Sequence, residues 1–162
     1  MNLSYKKNQG FSLAEIIIAC AIITTCIFAL MTSATKSIQI SRESLYRVQS
    51  SFLLEEGAEA VKAIRDASWN NISALKLGEN YKLTFNTFTN TWSLNQTPTV
   101  IDSLFTRTVV ISAVNRNVDN DIASSGTLDT RTKKVTIVVS WPSYDGITKT
   151  QELPFYISDI FN

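Results

Sequence analysis

One carboxylate stands where a carboxylate is costly. Glu15 is the only charged residue between Lys7 and Lys36, set inside the apolar run Phe11–Thr35 (FSLAEIIIACAIITTCIFALMTSAT). An ionised side chain at the centre of a membrane helix costs about 3 kcal/mol on insertion scales and usually goes with a partner. Glu15 can be accommodated near the interface, where it snorkels or takes a proton, or by a cation at its own depth. The run contains no such cation. A cut between Gly10 and Phe11 would create one, because the new α-amino group of Phe11 would lie about 6 Å along a helix from Glu15. An axial shift of that size between two copies would bring one copy's Glu15 to the other's amine.

The remaining chemistry-bearing residues exclude more than they offer. The chain has no histidine, which removes Ser-His-Asp and Cys-His catalysis, histidine-ligated zinc and a histidine pH switch. Cys20 and Cys26 are its two cysteines, so a disulfide scaffold and a four-cysteine zinc site are excluded too. They lie about 9 Å apart along one helix and point in different directions, so they read as apolar packing residues. Glu55 and Glu56 are adjacent, and adjacent helical residues do not face each other. They read as a solvated helix face, or as ion-pair partners of Lys62, of the C-terminal domain or of a second chain, and not as an acid–base pair. Asn117, Asp119 and Asp121 alternate like the start of an EF-hand loop, but Ile122 stands where glycine is needed and Leu128 where glutamate is needed. Only a carboxylate mechanism would be left to an enzyme, and no Asp/Glu pair falls into a cleft; no enzyme is expected. Lys+Arg 15 against Asp+Glu 14 gives +1, which provides no broad nucleic-acid surface.

These residues need elements to position them. At 162 residues the chain has the length of about one domain. Its 44% hydrophobic content is concentrated near the front. Phe11–Thr35 reaches the length of a membrane-spanning helix and has no polar stripe of the kind a soluble helix shows. A cleaved secretory signal, a permanent anchor, and a subunit that enters the membrane and later leaves it are three readings of this run. Thr32-Ser33-Ala34 offers small residues for a signal cleavage, although the run exceeds the usual h-region of about 7–15 residues. Lys6 and Lys7 on one side face Lys36, Arg42 and Arg47 on the other, so flanking charge leaves orientation open. From Ser37 to Ala67 there is no proline and Gly57 is the only glycine. Leu45, Val48 and Phe52, then Leu54, Ala58 and Val61, recur at helical spacing and form the apolar face expected to pack on a sheet. One helix from Phe11 to Ala67 would be roughly 85 Å long; the alternative is a break near Thr32–Lys36.

After Asn70 the period changes to two. Tyr81–Phe85 and Thr91–Leu94 suggest a hairpin, and Thr106–Val114 and Lys134–Trp141 are β-branched strands. Ile147–Ile157 is a weaker strand, which Pro154 should make an edge or whose pairing it should end, after a turn at Tyr144-Asp145-Gly146. No helices intervene, so the sheet should be antiparallel, with one face on the helix. Trp69, Trp92 and Trp141 are expected to pack at the helix–sheet junction. Asn115–Lys133 reads as a polar hairpin loop held by Asn and Asp turns. The fold class is α+β.

Gly10, Phe11-Ser12-Leu13-Ala14-Glu15 and the apolar helix together resemble the leader and cleavage motif of type IV prepilins. That family includes pilins, minor pilins, competence pseudopilins and type II secretion pseudopilins. The resemblance implies cleavage after Gly10 by a membrane-embedded prepilin peptidase, N-methylation of Phe11, and pairing of Glu15 with the N-terminus of an adjacent subunit. It divides the chain into a leader (1–10), a membrane or filament-core half-helix (11–35), an amphipathic half-helix (36–69) and a β-sheet headpiece (70–162), the pilin fold. Losing Lys6 and Lys7 with the leader would take the side-chain charge from +1 to −1. Leu53–Trp69 (LLEEGAEAVKAIRDASW) is similar to the end of the long helix in minor pilins and pseudopilins. No cysteine follows Cys26, where many major pilins close a C-terminal loop with a disulfide, and Thr32 stands where many carry a proline; both departures favour a minor pilin, a pseudopilin or a lineage without that disulfide.

The partners implied are other pilin subunits, the peptidase, an inner-membrane assembly platform, and lipid before assembly. The implied location is a single-pass cytoplasmic-membrane precursor with its C-terminal domain outside, then a cell-surface or periplasmic filament. No cofactor is expected; because some pseudopilins bind calcium in loops unlike an EF-hand, Asp119, Asp121 and Asp129 are weak calcium candidates. A membrane-anchored or secreted β-domain that binds a ligand, unprocessed at Gly10, is the alternative function.

Overall fold

The computed structural model describes residues 10–97 and 100–160; Lys6 and Lys7 of the expected leader lie outside them. Helix α1 (Leu13–Ala67) is unbroken over 55 residues, with no interruption at Thr32–Lys36. It has no proline to remove a rung from the hydrogen-bond ladder. Its threonines do not compete with that ladder. Thr24 donates to the Cys20 carbonyl (2.7 Å), Thr32 to Ala29 (2.9 Å) and Thr35 to Met31 (2.9 Å), so each hydroxyl is satisfied by the preceding turn. The first part of α1 is long and apolar enough to cross a membrane. The chain divides after Arg42, and Glu43–Asn162 forms a compact unit of its own.

Within that unit α1 is followed by a one-turn helix α2 (Asn70–Ser73) and seven strands: β1 (Asn80–Asn86), β2 (Thr91–Asn95), β3 (Val100–Ile101), β4 (Phe105–Arg116), β5 (Ile122–Ala123), β6 (Thr127–Pro142) and β7 (Thr148–Ser158). They make one antiparallel sheet in the order β2-β1-β4-β6-β7, with the short β3 and β5 also paired to β4. The expected α+β arrangement, a long helix followed by an antiparallel sheet, is therefore what the chain adopts. β7 is an edge strand, as Pro154 requires, and it runs straight through the proline, which lies opposite Thr136. The β6–β7 turn closes with Gly146 at positive φ and a Ser143–Ile147 backbone bond. The Ile147 amide, which donates to Asp145, holds that carboxyl below the usual range, with Lys149 assisting.

The core lies between α1 and one face of the sheet. Leu54, Ala58, Val61 and Ile64 of α1 pack with Val109, Ile111, Ile137 and Val139 of the two central strands. Trp141 is buried in this core, and Trp69 and Trp92 are partly buried against it, the packing role expected of them. Across the sheet, Phe105 links Tyr46 of α1 (6.0 Å between ring centroids) to Trp141 (6.1 Å).

The face of α1 turned to the sheet is not the whole of the face expected. Leu54, Ala58 and Val61 are buried, but Leu45, Val48 and Phe52 are 53%, 51% and 65% exposed. The helix carries two stripes. Tyr46, Ser50, Leu54, Gly57, Val61 and Ile64 face the sheet; Leu45, Val48 and Phe52 lie about 200° around the axis at 100° per residue. On the side that the sheet takes, the small Ser50 and Gly57 allow close approach. A Cβ at Gly57 would meet Ile137 Cδ1 at 3.1 Å and Arg107 Cδ at 3.2 Å. Ser50 is fully buried and donates to Gln151 of β7, whose amide donates to Ser51 (3.1 Å).

The stretch 115–133, expected as one polar loop, is mostly strand. β4 continues to Arg116 and pairs with β5, and β6 begins at Thr127. The register shifts between Ala113, opposite Lys133, and Val114, opposite Asp129, so Thr130–Thr132 of β6 have no partner in β4 and form a bulge in that ladder. Polar composition misleads here because the bulge supplies its own hydrogen bonds.

Candidate functional site

The motif around Glu15 forms the start of α1. Gly10 and Phe11 precede the first helical residue and are exposed, so the Gly10–Phe11 peptide bond lies outside the helical ladder. Ser12 and Glu15 cap the helix reciprocally. The Ser12 backbone N–H donates to Glu15 Oε2 (2.9 Å), and the Glu15 N–H donates to Ser12 Oγ (3.4 Å). This is a capping box, which satisfies two of the donors that every helix N-terminus leaves unpaired. The pattern Ser-x-x-Glu before an apolar run was visible in the sequence and was missed there. Glu15 thus has a partner in its own first turn, at the positive end of the helix dipole. The capping bond engages Oε2, so Oε1 can accept from a further donor.

The second cluster joins α1 to the sheet. Arg107 of β4 points inward, 5% exposed, and its Nη1 donates to Glu56 Oε2 (2.7 Å) and to the Leu53 carbonyl (3.0 Å). Its guanidinium lies 5.6 Å from the Trp92 ring centroid, a cation–π distance. Its Nε has no acceptor among the described residues. Glu56 is therefore tied to the sheet, while Lys62 pairs with Glu59 (2.7 Å). Arg107 was not recognised from sequence. The signal was parity: it falls on the same face of its strand as Phe105, Val109 and Ile111, all buried, and a charge in that phase needs a partner.

The third cluster holds the 115–133 stretch. Asp129 Oδ2 accepts from Arg116 Nε (2.7 Å), and its Oδ1 accepts from the Arg131 and Thr132 amides (2.8 and 3.1 Å). The Arg116 guanidinium, with Thr132 beside it, lowers the Asp129 carboxyl to about 2. Arg116 Nη1 also donates to the Asn120 carbonyl (2.8 Å), and Asn117 Oδ1 accepts from the Asp119 and Asp121 amides (3.0 and 2.8 Å). Of the calcium candidates, Asp129 is committed to Arg116, while Asp119 and Asp121 lie in the exposed turn beyond it. Among the described residues no three of His, Cys, Asp and Glu gather where they could share a metal ion.

Cys20 and Cys26, expected as packing residues, are unbridged and exposed on the single chain. They lie on the apolar part of α1, none of which is buried among the described residues.

Chemically, then, the start of α1 offers an accessible peptide bond and a capped carboxylate, and the two arginine clusters hold the headpiece together. No protein-family model, curated protein or solved structure matches the chain.

Proposed function

We propose that the chain is a pilin-like filament subunit of the minor-pilin or pseudopilin kind. In this reading a prepilin peptidase cuts the membrane-held precursor after Gly10, and the chain then assembles with other subunits through the first half of α1. The observation that carries it is the start of the helix. The Gly10–Phe11 bond is exposed and non-helical, immediately before a long apolar helix whose first turn holds Glu15. The capping box is compatible with cleavage, because the Ser12 amide and hydroxyl survive it, and Oε1 can accept from the amine of an adjacent subunit.

In the membrane the apolar half-helix is solvated by lipid; in a filament, neighbouring half-helices replace the lipid. Ion pairing at Glu15 then selects the stagger, since an unpaired charge in that interior costs several kcal/mol. Lipid, an inner-membrane assembly platform and sibling subunits are its partners. The headpiece stays outside the cytoplasmic membrane.

A second reading, a membrane-anchored β-domain never processed at Gly10, is favoured by one observation. The capping box gives Glu15 a structural role that needs no cut. The intact mass and N-terminal residue of the membrane-extracted protein, produced with and without a prepilin peptidase, separate the two. A peptidase-dependent start at N-methylated Phe11 supports the subunit; a start at Met1 in both cases rejects it.

A further inference from the structure

We infer that the stripe left bare on α1 is a helix-pairing seam in the membrane, before any staggered assembly, and that its occupant is the same stripe of a second copy, parallel and in register. The inference rests on the membrane-anchored state proposed above and not on cleavage at Gly10. Counted along α1, Thr24, Ile27, Met31, Ala34, Ile38, Ser41, Leu45, Val48 and Phe52 follow one another at alternating steps of three and four. That is the 3.5-residue repeat of a left-handed coiled coil, with Thr24, Met31, Ile38, Leu45 and Phe52 at a and the others at d. In the apolar half any phase would find apolar residues, so the evidence is the polar half. There the only large apolar side chains in phase with the repeat are Ile38, Leu45, Val48 and Phe52, and all four are more than half exposed. The repeat ends where its next positions become Glu55 and Glu59.

The sheet sits where such a seam needs it to be. In the same repeat Glu43, Ser50 and Gly57 occupy f, the position opposite the seam. Ser50 and Gly57 are buried against the sheet, and Glu43 accepts a hydrogen bond from Ser143 (3.2 Å). Two copies can therefore join their stripes with both sheets turned outward. The flanking positions raise no objection. Ser37, Ser44 and Ser51 at g would meet Arg42, Gln49 and Glu56 at e of the other copy, which brings no like charges together.

The choice of a second copy follows from the span of the repeat. Two heptads in water do not hold a pair of helices by themselves, but in the sequence the same three-four spacing runs on through Ala34, Met31 and Ile27 of the apolar run. A partner must offer a helix that is apolar through the bilayer and patterned at 3.5 residues for two heptads beyond it. The chain itself is such a helix, and anchoring in one membrane imposes the parallel orientation and raises the effective concentration.

The test is disulfide trapping of the full chain in membranes, in a Cys20→Ser, Cys26→Ser background. Single cysteines are placed on the seam (Leu45→Cys, Val48→Cys, Phe52→Cys) and at exposed positions off it (Ile40→Cys, Arg47→Cys). Only positions whose Cα atoms come within about 7 Å can be bridged, so about tenfold more dimer is expected on the seam than off it. In the unmodified chain Cys20, at d, should give dimer and Cys26, at c, should not. Equal trapping at Ile40 and Val48, or none at Leu45 and Val48 in protein retained by the membrane, would overturn the pairing. Release of the chain from membranes by alkaline carbonate would instead overturn the anchored state beneath it.

Discussion

Removing the Glu56 carboxylate should destabilise the headpiece by about 2 kcal/mol, and the size of the loss should depend on Arg107. Taking one partner from a fully buried ion pair costs about 3–5 kcal/mol, because a charge is left in a poor solvent. Here the pair is asymmetric: Arg107 is 5% exposed and Glu56 is 49% exposed. In Glu56→Ala the stranded group is the buried guanidinium, which keeps the Leu53 carbonyl and the Trp92 ring but has no acceptor for its Nε. Those remaining contacts bring the expected loss down to about 2 kcal/mol, in the range of one hydrogen bond to a charged group. In Arg107→Met the stranded group is a half-exposed carboxylate that water can solvate. The stem volume is kept, and a cost near 1 kcal/mol is expected. Glu56→Ala in the Arg107→Met background should then cost about 0.5 kcal/mol or less, a coupling well above the additivity limit. Urea unfolding of the full chain in detergent reports this through tryptophan fluorescence, since Trp92 lies beside the guanidinium. Equal costs for Glu56→Ala in the two backgrounds would refute the reasoning.

Asp129, lowered to about 2, binds its proton less tightly folded than unfolded. The stability it contributes is complete above about pH 5 and lost as pH falls through about 2. Asp129→Asn should cost about 1–2 kcal/mol at pH 6 and little at pH 2, read from urea midpoints at the two pH values. Gly57→Val should lose about 2–3 kcal/mol by overpacking against Ile137, with a second substitution, Ile137→Val, recovering part of it. Ser12→Ala, which removes a cap worth about 1 kcal/mol, should leave membrane insertion and subunit incorporation near wild type. Glu15→Gln should spare insertion and impair incorporation into filaments, scored by membrane fractionation and by recovery in sheared filaments; equal incorporation of both variants would remove the pairing role of Glu15.

The elements were largely legible because their causes are local. A proline-free stretch with one glycine became one helix, and period-two runs became strands, with Pro154 on an edge. Phase was harder to read. Leu45, Val48 and Phe52 looked like core because helical spacing says which residues share a stripe and not what covers it. The deciding residues were the unassuming Ser50 and Gly57, whose value lies in the space they leave. The stretch 115–133 was misjudged because Arg116 and Asp129 meet across a hairpin whose register is shifted by a bulge, a pairing no spacing rule encodes. At the start of α1 the residues of the motif were all found, but not their mutual hydrogen bonds. A carboxylate in an apolar run drew attention to what it lacked, while its nearest donor was three residues away.

Pro154 has a consequence for crowding. An edge strand ordinarily presents a row of donors and acceptors on which another chain's strand can template itself. The row along β7 is interrupted near its middle, since proline contributes no donor, and Lys149 and Glu152 put charges along the same strand. A strand creeping along that border would lose its hydrogen bonds where the proline sits. If the chains stand side by side as proposed above, their sheets are therefore poorly suited to fuse along the β7 border.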